Sequence, residues 1–253
     1  MNKLILTLAI SSLFYFQSCK EIDDKPNPDP TFGTAEIEFE HVWGVNQAPF
    51  ELNATLVHPM TKDTMKFTTL KYYVSNIQLK RSDGTWWKED ESYYLVDLSI
   101  EKGNILKIKN IPSGTYTAIK YILGVDSLRN VSGAQTGALA VSNAMFWSWN
   151  SGYIMLKAEG LSPQAASGDF AFHLGGFMAE NSCIVAKESD FNGQTFEVKP
   201  DANPVIHFLA NPAKLWHSSP SLSVKNKIHA PGAEAKTMAT DFFNGTVFEH
   251  LHQ

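Results

Sequence analysis

From Thr34 onward the apolar and polar positions alternate. Ile37, Phe39 and His41 share one parity and Glu36, Glu38 and Glu40 the other, which predicts a strand with one buried face. Phe50, Leu52, Ala54, Leu56 and His58 repeat the scheme, so a second strand is expected over 50–58. The stretch 66–79 is rich in β-branched and aromatic residues, Ser82-Asp83-Gly84 is a turn, and 93–98 reads as the returning arm of a hairpin. Further strands are expected over 105–108, 115–123, 153–158, 169–174, 195–198, 204–209 and 221–224. Helical spacing is confined to 127–130 and 237–243. Short strands between Gly, Pro and Asn turns predict a mostly β fold: one β-sandwich domain over 34–253, with long irregular loops and few short helices. The longest loop, 124–149, carries Phe146 and two tryptophans, so it is expected to be ordered and functional.

The first residues obey a different pattern. Lys3 precedes an apolar run over 4–16 that is too short to span a bilayer and has no stop-transfer charges behind it. We read 1–18 as a signal peptide and Cys19, preceded by the small Ser18, as a lipid-attachment cysteine, although Phe16 and Gln17 depart from the usual residues there. Residues 19–33, with Pro26, Pro28 and Pro30, form the expected lipidated N-terminus and solvated tether. The predicted location is therefore the cell envelope, anchored to the outer membrane through lipid alone. A net charge of -5 without a Lys/Arg cluster excludes a nucleic-acid binder. Of two cysteines, acylation of Cys19 leaves Cys183 alone, so any metal falls to histidine, carboxylate or a less usual ligand.

No phosphate loop or G-x-S-x-G nucleophile is present, and a non-enzymatic monomer is expected. His41 and His58 end their strands on the apolar parity, where an imidazole must bond something: a ligand, or a hydrogen-bonding partner in the core. His173 ends a strand in front of Gly175-Gly176, well placed to ligate or to pack. His207 lies mid-strand and is expected to pack, while His217 and His229 are expected to be solvated. His250 and His252 would share one strand face and could bind metal, but an exposed, frayed terminus is the reading adopted. Trp147, Trp149, Ser151 and Tyr153 share one parity, and with Trp86-Trp87 they suggest either sandwich packing or an aromatic platform.

The segments Leu70-Lys71-Tyr72-Tyr73-Val74-Ser75-Asn76-Ile77-Gln78-Leu79, Leu123-Gly124-Val125-Asp126 with Asn130, Met145-Phe146-Trp147-Ser148-Trp149-Asn150-Ser151-Gly152-Tyr153 and Phe172-His173-Leu174-Gly175 stand in the order and spacing of the MbnP family. The chain resembles that family of methanobactin-associated copper-binding proteins, also found as Bacteroidota lipoproteins, from about residue 36 to 209. The resemblance implies a β-sandwich that holds one copper ion with histidines, for acquisition, storage or handover of the metal. It also implies a tryptophan oxidised to kynurenine by a di-haem peroxidase-like partner. An indole N–H only donates, whereas the ring-opened product offers an amine and a ketone that can ligate. His41 and His173 match the family's histidines, with His58 and His207 in reserve for a third imidazole, and Trp149 is preferred over Trp147 for modification. The alternative is a metal-free sandwich that binds glycan or protein through its aromatic platform.

Overall fold

The computed structural model describes residues 31–133, 135–147 and 152–253. The predicted signal peptide over 1–18, Cys19 and Trp149 lie outside these. In chain order the first strands are β1 (Phe32–Trp43), β2 (Ala48–Pro49), β3 (Leu56–Val57), β4 (Thr64–Arg81), β5 (Trp86–Lys88), β6 (Tyr93–Asp97), β7 (Ile105–Pro112) and β8 (Gly114–Leu123). After helix α1 (Ser127–Val131) come β9 (Phe146–Trp147), β10 (Gly152–Leu161), β11 (Asp169–Gly175), β12 (Val185–Ser189), β13 (Phe196–Val198), β14 (Val205–Ala210) and β15 (Lys227–Ile228). Helix α2 (Ala233–Asn244) and β16 (Val247–His252) close the chain.

Two sheets form the expected β-sandwich. The smaller runs β16-β14-β1-β2, with β7 on the other side of β1. The larger runs β12-β8-β4-β10-β11-β15, with β3, β5 and β6 also on β4, β9 on β10 and β13 on β8. Between them the inward parities meet. Phe39 of β1 stacks on Phe208 of β14 at 5.4 Å and meets Tyr72 of β4 edge-on at 5.9 Å, while Tyr121 of β8 meets Phe208 at 5.2 Å. Each such ring contributes about 1.5–3 kcal/mol of burial. Helix α2 places Phe242 5.3 Å from Tyr72.

Two expected strands are not formed as such. Over 50–58 the burial alternation holds, but only Leu56–Val57 is laddered. Asn53 turns to φ 66° and donates to the Phe67 carbonyl at 2.7 Å, which breaks the extended run. Residues 221–224 form a turn closed by Val224 N–H on the Ser221 carbonyl, held by the Asp63 carboxylate, which accepts from Ser221 Oγ and Leu222 N–H. Strands β12 and β16 were not foreseen, and α2 begins four residues before the predicted 237.

The long loop after β8 is ordered by satisfied polar groups. Buried Asn130 donates to the Val125 and Asp126 carbonyls and accepts from Tyr153 N–H, while the Tyr153 and Tyr73 hydroxyls donate to the Leu139 and Ala138 carbonyls. Asp126 caps α1 at Arg129 N–H and accepts from Tyr93 and Asn76. This fixes the approach of the chain to β9 and Trp147.

Candidate metal centre

Register decides which histidines can meet. Across β4, β10 and β11, Tyr72 lies opposite Leu156 and Leu156 opposite Leu174. In the neighbouring row Lys71 lies opposite Lys157 and Lys157 opposite His173. Successive residues of a strand face opposite sides. His41 stands on the inner side, where Nε2 is 3.1 Å from the Tyr72 hydroxyl. His173 stands on the outer side of the same sheet. The two imidazoles that the resemblance selects are therefore not brought together. Burial pushes the His41 imidazole down to about 4, and a hydrogen bond to the Phe39 backbone only partly opposes this.

His58 is used up within the fold. Nε2 donates to the Ala213 carbonyl at 2.9 Å, Nδ1 accepts from Thr61 N–H at 3.0 Å, and Trp43 and Trp216 flank the ring at 6.0 Å. With both ring nitrogens bonded, it tethers the 58–63 turn to the 212–216 segment.

His173 is differently built. Its Nε2 is 2.6 Å from Glu159 Oε1, and its Nδ1 is 3.1 Å from Nδ1 of His229, with the ring centroids 4.4 Å apart. Nε2–H donates to the carboxylate, which leaves Nδ1 as the nitrogen directed at His229. Its bond to His173 is the main cause holding Glu159 down to about 2, and burial followed by His173 lowers His229. His229 is exposed, as expected, but it has a partner that was not foreseen. Parallel pairing of β15 with β11, Phe172 opposite Ile228, carries it to the place beside His173. Two imidazole nitrogens bound to one ion at about 2.0 Å lie about 2.8–3.3 Å apart. The pair therefore fits a copper-class ion, with a carboxylate behind one ligand.

Trp147 lies close by. Its ring covers Gly175, where a Cβ would come within 2.7 Å of it, two residues past His173. A cavity of about 220 Å³ opens among Trp147, Gly152, Tyr153, Phe177, Met178 and Pro231, the last two residues on from His229. Gly176, also on its wall, turns at φ 132°, and a Cβ there would strike the Asn181 carbonyl.

His207 is half-buried on the outer side of the smaller sheet. Neither it nor the terminal His250 and His252 stands alone, because the ligating nitrogens of all three lie within 4.8 Å of one another. The described tryptophans offer little open ring face for a platform. Trp43, Trp147 and Trp216 are buried, Trp87 packs on the core, and Lys120 lies 4.2 Å over Trp86.

The solved structure of MbnP from Methylosinus trichosporium is similar to this one, with a TM-score of 0.55 and 14% identity over 81% of this chain and 83% of that chain, a likeness of fold. No curated protein matches the sequence. The MbnP family model matches residues 32–236, most of the length and every element from β1 into α2, so the chain belongs to the MbnP family.

Proposed function

We propose that this protein binds copper in the cell envelope, for acquisition, storage or handover of the metal, without catalytic turnover of its own. The observation that carries the reading is the His173–His229 pair, 3.1 Å between Nδ1 atoms, with Glu159 behind it and Trp147 beside it. Imidazole suits copper, and the carboxylate fixes the orientation of the ring whose other nitrogen would ligate. Copper, when bound, supplies a redox-active, thiophilic centre. The chain's own part is to present two preset nitrogens at a sheet edge. Oxidation of Trp147 or Trp149 to kynurenine, by a di-haem peroxidase-like partner, would add the amine and ketone donors that an indole lacks. The signal peptide and Cys19 anchor belong to the same reading, since such an oxidant works outside the cytoplasm.

The test is copper retention by tag-free mature protein after loading and dialysis. We expect His173→Ala/His229→Ala to lose one equivalent relative to wild type, with an unchanged far-UV spectrum. Equal retention by the two proteins overturns the reading. Intact mass of the envelope-derived protein reports kynurenine and acylation of Cys19 in the same spectrum.

A further inference from the structure

Strand β16 lies beyond the 32–236 span of the family match and, among the described residues, pairs with β14 alone. His250 and His252 stand two residues apart on it, so both project to one side. A register shift between His207 and Phe208 sets His250 opposite His207 and His252 opposite Val205. Three imidazoles from two strands thus converge on the outer side of the smaller sheet. His207 and His250 stack with centroids 4.3 Å apart and an interplanar angle of 8°, and His252 is 4.7 Å from each. Nε2 of His250 is 2.7 Å from Nε2 of His252.

Carboxylates stand on the far side of two of these rings. Glu38 Oε2 is 3.6 Å from Nδ1 of His207, and Glu249 Oε2 is 3.3 Å from Nδ1 of His250. With a carboxylate near each of these two Nδ1 atoms, Nε2 is the nitrogen left to a metal, and a carboxylate behind the ring commonly supports metal-bound histidine. Three imidazole nitrogen donors with an open fourth position suit a borderline first-row cation, whereas Mg2+ and Ca2+ require oxygen.

We propose that His207, His250 and His252 form a second metal site, distinct from the His173–His229 pair, that takes a divalent first-row cation such as Zn2+ or Cu2+. It draws on no residue of that pair, so the two readings stand or fall separately.

The experiment is Zn2+ titration by calorimetry of the full mature chain without an affinity tag, with Co2+ as the spectroscopic probe. One Zn2+ equivalent is expected in wild type and in His173→Ala/His229→Ala, and its loss in His250→Ala/His252→Ala. The exposed His252→Ala alone should weaken Zn2+ at least tenfold with an unchanged melting temperature. Visible Co2+ bands of a four-coordinate imidazole site should vanish with the same variants. Zn2+ binding that is equal in wild type and the His250/His252 variant, or that follows the His173/His229 variant, overturns the proposal. Retained Zn2+ at the three histidines together with no copper loss from the His173–His229 variant would sink only the copper reading.

Discussion

A buried imidazole makes the fold sensitive to mild acid. His41 is pushed down to about 4, against about 6.5 in the unfolded chain. Between those values the unfolded state takes up a proton that the folded state refuses, so stability falls as pH drops from about 6.5 towards 4, by at most about 1.4 kcal/mol per unit. His58, His207 and His229 are lowered too and act with the same sign. Urea unfolding at pH 7.5 and 5 should therefore show a smaller loss for His41→Gln than for wild type, and equal losses would refute His41 as a source. Glu159 acts in a lower window: held down to about 2, its contribution is full above its unfolded value and is lost as pH falls towards 2. At this scale the sequence was informative about burial and silent about partners. The parity of His41 and His58 declared both inward. That Tyr72 would meet one and the Ala213 carbonyl the other depends on packing between residues 31 and 155 positions apart.

The elements were legible where apolar alternation and laddering coincide, as in β1, β4, β8 and β11. They were not where one occurs without the other. Residues 50–58 alternate in burial while Asn53 breaks the ladder, and β16 is a six-residue strand with a register shift. The partnership of His229 with His173 had only Ile228 as its signal, one apolar residue in a two-residue strand. The contact of β9 with β11 gives a sharper prediction. Gly175→Ala would set a methyl 2.7 Å from the Trp147 ring and 2.8 Å from the Tyr153 carbonyl. It should cost about 1–3 kcal/mol, as overpacking does. The near-UV circular dichroism of Trp147 should shift with it; an unchanged spectrum and melting temperature would contradict this packing.

At the level of the whole molecule, a single core joins both sheets, and Cys183 lies fully within it. Burial pushes its thiol up to about 12, and Sγ donates to the Gly175 carbonyl at 3.3 Å. Native protein should therefore react with a disulfide reagent only as fast as the core opens, and denaturant should release the thiol at once. Rapid native labelling would show that the 176–184 segment opens by itself. The sandwich class was readable from strand count and turn spacing. Its sheet order was not, because the pairing of β1 with β14 joins Glu36 to Val205 and leaves no local trace.

That pairing also sets a timetable for the growing chain. Strand β1 can ladder onto β7 early, but its other edge stays bare until β14 arrives, 162 residues after Trp43. At about 5–20 residues per second this is a wait of about 8–30 s. Throughout it, an edge carrying Ile37 and Phe39 stands open to wrong partners, and the alternating Glu36, Glu38 and Glu40 are the charges that guard it. Glu38, which later flanks a histidine cluster, thus serves first as one of the gatekeepers of the nascent strand.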